Sequence, residues 1–174
     1  MQKTIIFILL VLSLESAGQV KTAGTPNIRN YPKSAYKAGT QNWGITQDQK
    51  GFMYFANNEG ILQFDGLHWN LIEVSESSPV RSVFSGTQNN IYVGLYNDFG
   101  MLIQNQKGRL FYKSLRHLLP ENITDFDEIW KIHEIPQGTV FQSYDYLFIL
   151  KNNSIKIIEP RKRFHFSLLF RSQI

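Results

Sequence analysis

Metal binding is the first chemistry that the residue types suggest, because the chain contains four histidines and a cluster of acids. His133 begins the sequence H-E-I-P-Q, which shares its first two residues with the zinc-binding helix motif H-E-x-x-H. The second histidine is missing, and Pro136 is incompatible with the helix that this motif requires. The acidic cluster of Asp125, Asp127 and Glu128 lacks the glycine and the later glutamate of a calcium loop. We therefore predict no metal site and no cofactor.

The sequence lacks the usual motifs of nucleophilic catalysis and of phosphate transfer. The chain has no cysteine, no G-x-S-x-G turn and neither of the glycine patterns that surround phosphate groups. A pair of carboxylates for glycoside hydrolysis could come from distant strands, and the spacing favours no particular pair. We expect a protein that is not an enzyme; an exported enzyme that acts on polysaccharide is the alternative.

Tryptophan side chains are the first candidates for ligand binding. Trp43 and Trp130 occupy matching positions in two repeated segments that are described below, and Arg81 takes that position in the segment between them. A tryptophan that recurs at the same position of a repeat is typically part of the packing between repeats. The alternative is that these tryptophans form an aromatic platform that stacks against a sugar ring. Trp43 and Trp130 are therefore candidate ligand-binding residues.

A polar and aromatic sequence between two expected strands is the second candidate for ligand binding. Loops at the rim of a rigid scaffold often carry binding residues. We therefore expect a ligand to contact the loop residues Tyr96, Asn97, Asp98 and Phe99.

The composition is that of a folded domain rich in strands. Hydrophobic residues make up 43% of the chain, charged residues 18% and aromatic residues 14%, which favours β-structure over disorder. The net charge of +4 comes from the basic residues of 161–174, since residues 19–160 carry equal numbers of acids and bases. Because a nucleic-acid surface needs clustered basic side chains, we predict no nucleic-acid partner.

Residues 1–18 are typical of a signal peptide. Lys3 supplies the positive start, Ile5 to Leu14 form a short apolar stretch, and Ser16 to Gly18 offer small residues for cleavage. As a helix the apolar stretch would span about 15 Å, roughly half of the bilayer's hydrocarbon thickness. We therefore expect cleavage after Gly18 and a periplasmic mature chain.

From residue 42 onward, a pattern of short strands and turns recurs with a period typical of β-propeller blades. The strands are rich in aromatic and aliphatic residues, and Asp, Asn and Gly fall between them, where the chain must reverse. A β-sandwich is the alternative, and the segment 115–127 inserts a short helical turn. We predict an all-β fold, an incomplete β-propeller of about three four-stranded blades plus the start of a fourth. The boundaries are a lead-in segment at 19–41, repeats at 42–72, 80–113 and 129–158, and a fourth unit within 164–174 that opens with a strand over Phe164–Phe170.

The first unit resembles the two-component regulator propeller repeat. It reads N-W-G-I-T-Q-D-Q-K-G-F-M-Y-F-A-N-N-E-G-I-L-Q-F-D-G-L-H-W over Asn42–Trp69, with the Q-D-x-x-G turn, the aromatic strand and the F-D-G ending of that repeat. The runs Val80–Phe84, Ile91–Gly100 and Phe164–Ser167 fit the same group. The third unit departs from it, because it has neither the Q-D-x-x-G turn nor the F-D-G ending.

The resemblance implies the sensor region of a bacterial two-component or LuxR-type regulator of the Bacteroidetes type. Relatives of this kind follow the propeller with a triple-tyrosine domain, one inner-membrane helix and a DNA-binding or histidine-kinase output, so the present chain is expected to be a truncated form. The implied partner is an extracytoplasmic ligand, with a glycan-derived molecule as the candidate. The remaining partners to consider are the rest of the propeller and a second copy, since open sheet edges favour self-association.

Overall fold

The computed structural model describes residue 24, residues 28–74 and residues 78–167. The predicted signal peptide and residues 168–174 lie outside the described residues. Two units are distinguished, Met1–Asn30 and Tyr31–Ile174, and the sheets belong to the second. Within the described residues, no helix combines the length and the apolar character needed to cross a bilayer.

The described part of the chain folds into three antiparallel sheets, each made of four consecutive strands. A four-residue helix, α1 (Lys33–Tyr36), precedes them, and the helical turn expected after the second unit is a 3-10 helix at Arg116–Leu118. Sheet 1 contains β1 (Asn42–Gln47), β2 (Met53–Asn57), β3 (Gly60–Phe64) and β4 (Trp69–Ile72). Sheet 2 contains β5 (Ser82–Ser85), β6 (Ile91–Gly94), β7 (Phe99–Gln104) and β8 (Leu110–Ser114). Sheet 3 contains β9 (Lys131–Ile135), β10 (Gly138–Gln142), β11 (Leu147–Lys151) and β12 (Ser154–Ile158).

The three sheets fan out from a common line. Their first strands lie side by side, β1 against β5 and β5 against β9, whereas the fourth strands β4 and β8 approach each other at few points. Contacts between sheets therefore concentrate at the first strands and thin out toward the fourth. This arrangement confirms the all-β prediction and its three four-stranded units.

The second strand of sheet 2, β6, is buried on both faces. Ile91 and Val93 pack into a core shared with sheet 1, while Tyr92, which points the other way, packs into a core shared with sheet 3. Because alternate side chains of a strand face opposite sides, a strand that is apolar throughout needs a neighbour on each side. Sheet 2 therefore supplies one wall of two separate cores.

One backbone hydrogen bond recurs wherever the chain passes from one sheet to the next. In each case the residue that enters the new unit donates its N–H to a carbonyl at the end of the second strand of the preceding sheet. The bonds run from Val80 to Asn57 (3.1 Å), from Ile129 to Leu95 (2.9 Å) and from Phe164 to Tyr144 (2.8 Å). Val80 and Ile129 are fully buried, so the second and third units are each fixed to the previous one by a bond in a dry environment.

The start of the fourth unit follows this rule but does not form the predicted strand. Phe164 makes the recurring bond, whereas residues 164–167 have no strand structure, and residues 168–170 lie outside the described part. The strand prediction for Phe164–Phe170 is therefore wrong over 164–167. A strand requires ladder hydrogen bonds from a neighbouring strand, and alternation of apolar residues does not supply them.

The sequence Q-[DN]-Q-K-G forms the same turn in two places. Asp48 Oδ1 accepts hydrogen bonds from the backbone N–H groups two and four residues later, and Asn105 Oδ1 does so in its own turn. Gly51 and Gly108 close these turns at φ values of 89° and 80°, which L side chains rarely adopt. The first turn joins β1 to β2 and the second joins β7 to β8, so both lie at the same end of the sheets.

We expect Gly94→Ala to destabilise the junction of sheets 2 and 3. A Cβ at this position would contact Ser82 Oγ and would lie 2.6 Å from Ile129 Cγ2, where Ser82 Oγ donates a 2.6 Å hydrogen bond to the Ile129 carbonyl. Overpacking of this kind costs about 1–3 kcal/mol, measurable by urea unfolding of the whole chain.

Gly44→Ala is the matched control, since a Cβ there meets its nearest atoms at 3.7 Å, an ordinary contact. Equal stability of the two variants would contradict the close approach at Gly94.

Candidate functional site

The candidate site lies at the end of the sheets where the first strands begin. In each sheet the first strand pairs antiparallel with the second, so that the start of one lies beside the end of the other, as Asn42 does beside Asn57. The turns β2–β3, β6–β7 and β10–β11 therefore lie at this same end. We call it the entry face.

Three residues from matching positions of the three units meet at the entry face. The guanidinium carbon of Arg81 lies 4.4 Å from the centre of the Trp43 ring and 5.5 Å from that of Trp130. The two indole rings are in edge-to-face contact at 5.9 Å. We call these three residues the Trp–Arg–Trp cluster; its cation–π geometry is favourable for both rings.

The cluster lies toward the line from which the sheets fan out. Trp43 is at the start of β1 and Trp130 immediately precedes β9, and the strand β5 separates β1 from β9. Rings from two sheets that are not neighbours can touch only if both side chains extend inward. Trp43 remains 40% exposed, so the cluster offers an aromatic surface to solvent.

Arg81 is paired with Glu128 next to the two indoles. Arg81 Nε and Nη2 donate to the same oxygen, Glu128 Oε1, at 3.2 and 2.9 Å. The side chains are 17% and 20% exposed. Among the described residues, Arg81 Nη1 and Glu128 Oε2 have no hydrogen-bond partner, and neither atom is enclosed. The pair is therefore neutral overall and presents one free donor and one free acceptor.

The two tryptophans differ in how their indole N–H groups are used. Trp43 Nε1 donates to Asn58 Oδ1 in the β2–β3 turn at 2.7 Å. Trp130 Nε1 is buried without a partner among the described residues, and so is Gln142 Oε1 on the adjacent strand. A buried polar atom without a partner costs about 1–3 kcal/mol, so the Trp130 ring is held by packing at the expense of stability.

Comparison with known proteins identifies the fold and nothing finer. No model of a known protein family matches the sequence, and no curated protein matches it. Among solved structures, the chain is similar to virginiamycin B lyase from Staphylococcus aureus, with 16% identity and a TM-score of 0.54 over 71% of this chain and 43% of that one. The fold is a β-propeller. The chain spans less than half the length of that lyase, and the three sheets are propeller blades with the entry face at one end of the axis.

Tyr96 belongs to the entry face of the propeller and lies beside the Arg81–Glu128 pair. It is 50% exposed and forms an isolated β-bridge with Glu128. Asn97, which follows it, adopts a left-handed conformation with φ of 53°. Its side chain accepts from the N–H of Phe126 and donates to the Thr124 carbonyl. Asn97 therefore fixes the connector between blades 2 and 3, the segment that carries Glu128.

The loop prediction is wrong for Phe99 and incomplete for Asp98. Phe99 is the first residue of β7, is fully buried, and stacks on Phe141 and Phe148 at 4.5 and 5.1 Å. Asp98 is partly buried, and its Oδ1 accepts from the Phe99 N–H and from Ser114 Oγ. The sequence there places two polar residues between two aromatic ones, and this pattern does not show where the loop ends and the strand begins.

Sequence reasoning missed the charged residues that complete the entry face. Arg81 was visible only as the residue in register with the two tryptophans, and Glu128 only as part of an acidic cluster.

Arg163 is a further charged residue of the entry face. It stacks over Tyr144 at 5.2 Å and forms ion pairs with Asp145 at 2.8 Å and with Asp127 at 3.2 Å. The hydrogen bond that Arg163 donates to the Asp145 carboxylate raises the pKa of Arg163 further. No signal in the sequence pairs these residues, since they come from separate connections.

A groove of about 450 Å³ between blades 1 and 2 opens toward the opposite end of the axis. Three of its polar side chains bind one another: Tyr54 Oη donates to Asp48 Oδ2 at 3.3 Å and accepts from Gln63 Nε2 at 3.1 Å. Burial raises the pKa of Tyr54. Within the described residues no group of three His, Asp or Glu side chains is arranged to hold a metal ion. The entry face is therefore the stronger candidate, because it leaves both an aromatic surface and polar atoms free.

We expect the stability of the chain to depend on pH through Asp98. Burial raises the pKa of its carboxyl, and the hydrogen bond from Ser114 opposes this only in part. A raised pKa in the folded state adds stability below the unfolded value of about 3.9, and that contribution is lost as the pH rises through the folded value. Asp98→Asn keeps the acceptor oxygen and cannot ionise.

The stability of Asp98→Asn relative to the natural chain should therefore increase as the pH rises above about 4 and then level off. Urea unfolding across this pH range measures the difference, with Glu121→Gln on the connector between blades 2 and 3 as the control for losing one negative charge. A difference that does not change with pH, or that changes in the opposite direction, would contradict this assignment.

Proposed function

We propose that this chain is a ligand-binding propeller segment of an extracytoplasmic sensor in bacterial signal transduction, of the two-component regulator propeller type. The observation that carries the proposal is the Trp–Arg–Trp cluster, in which three matching repeat positions meet on the propeller axis. The Q-D-x-x-G turn and F-D-G ending of the first repeat support the family. The sequence of residues 1–18 supports export to the periplasm.

The chemistry of the entry face favours a glycan-derived ligand. A sugar ring has an apolar C–H face, which packs on an indole, and hydroxyl groups, which need charged or amide partners. The exposed ring of Trp43 lies against the guanidinium of Arg81. An aromatic surface for the sugar ring and a charged partner for its hydroxyl groups are therefore next to each other. Because these residues come from different blades, a ligand bound here would contact more than one blade at once.

An enzyme is the second candidate, since the similar solved structure is a lyase that is named for its action on virginiamycin B. At 16% identity that likeness concerns the fold alone. Incubation of the purified chain with virginiamycin B, followed by mass spectrometry, separates the two functions. We expect the antibiotic to remain intact; its conversion to a product would favour the enzyme and overturn the binding proposal.

The proposal predicts that the aromatic surface of Trp43 is required for binding. Affinity electrophoresis of the whole chain in gels that contain laminarin, pullulan, xylan, galactan or polygalacturonate should show retardation by at least one polymer. Trp43→Ala should abolish this retardation, because stacking on an aromatic ring contributes much of the binding free energy in such sites.

Phe111→Ala is the matched control. Phe111 is 42% exposed, close to the 40% of Trp43, and lies on β8 at the outer edge of blade 2. The Phe111→Ala variant should be retarded by the polymers as strongly as the natural chain. If no polymer retards the natural chain, or if both variants are retarded equally, the entry face is not a glycan-binding surface.

A further inference from the structure

We infer that Arg81 and Glu128 act together as a recognition pair for two neighbouring hydroxyl groups of a neutral sugar, and that carboxylated sugars are disfavoured. The inference rests on the proposed function and specifies its ligand class. It starts from the asymmetry of the ion pair: Arg81 uses two nitrogens on a single oxygen, Glu128 Oε1.

That asymmetry leaves a donor and an acceptor in one small area. Arg81 Nη1 can donate and Glu128 Oε2 can only accept, and both are without a partner among the described residues. A hydroxyl group both donates and accepts. Two adjacent hydroxyls on a ring can therefore bind one to each atom, whereas a carboxylate offers acceptors alone and meets repulsion at Oε2.

The charges around the pair oppose an anionic ligand. Arg81 is already neutralised by Glu128 at 2.9 Å. Arg163, the other cation of this face that forms an ion pair within the described residues, is held by both Asp127 and Asp145. A ligand carboxylate beside Arg81 would therefore meet a guanidinium whose charge is already balanced, next to the second oxygen of Glu128. Because the side chains of Arg81 and Glu128 are only 17% and 20% exposed, repulsion between Glu128 and a ligand carboxylate is weakly screened, so a neutral ligand is preferred.

The pair is held in place before any ligand arrives. The Arg81 backbone N–H donates to the Gly94 carbonyl at 2.8 Å, and its guanidinium lies against two indole rings. The Glu128 backbone bridges to Tyr96, and its N–H donates to Asp127 Oδ1 at 2.9 Å. Groups that are already fixed lose little conformational entropy on binding, which is the property that a selective polar contact requires.

The test uses the whole chain and the polymers named above, with polygalacturonate as the carboxylated counterpart of galactan. We expect retardation by a neutral polymer and none by polygalacturonate. Glu128→Gln replaces the free acceptor with an amide and should weaken neutral-polymer binding about tenfold, as should Arg81→Lys, which removes the planar fork. Asp145→Asn is the matched control, since it also removes one partner of an ion pair at the entry face, and should leave binding unchanged.

The outcomes are distinct. Retardation that depends on Trp43 but is unaffected by Glu128→Gln and Arg81→Lys would overturn this inference and leave the proposed function standing. Preferential binding of polygalacturonate that becomes tighter in Glu128→Gln would show that Arg81 reads a carboxylate, and would also overturn it. If no polymer retards the natural chain, the proposed function fails and the inference fails with it. Unfolding midpoints of each variant identify any loss that comes from misfolding.

Discussion

The structure depends on one constraint: a four-stranded sheet with apolar residues on both faces cannot bury them alone. Sheet 2 illustrates this, because Ile91 and Val93 need sheet 1 while Tyr92 needs sheet 3. The hydrogen bond from each entering residue to the preceding sheet fixes how the next sheet is placed, and it recurs at Val80 and Ile129 with full burial. Since the same bond is made each time, each sheet meets the next in the same way, and a fan is the result.

The entry face is a consequence of that repetition. When sheets are stacked by one rule, residues at the same position of each repeat come together near the axis, although they are far apart in sequence. Trp43 and Trp130 touch in this way across the intervening blade. A site of this kind needs no special loop, because the topology gathers its side chains. This also explains why a substitution at a single repeat position, as at Arg81, changes the chemistry of the whole face.

The parts of the molecule that follow from local pattern could be predicted from the sequence, and the parts that follow from connections could not. Turns such as Asp48–Gly51 and the apolar strand Ile91–Gly94 are set by residues close in the chain, and the register of Trp43 and Trp130 was visible in the repeat. Phe99 was assigned to a loop because its burial depends on blade 3, more than forty residues away. Glu128 lies in a connector outside the repeat, so no periodicity relates it to Arg81.

The polarity of the cluster supports the binding role that we propose for it. Two of the three matching positions hold tryptophan, and the third holds Arg81. An apolar side chain in place of Arg81 would pack against the indoles without removing a charge from water. Arg81 and its partner are instead only 17% and 20% exposed, and for ion pairs this enclosed, desolvation offsets much of the attraction between the charges. A face built for stability alone would avoid such a pair, whereas a face that must hold a polar ligand in a defined orientation requires donors and acceptors that are already in place.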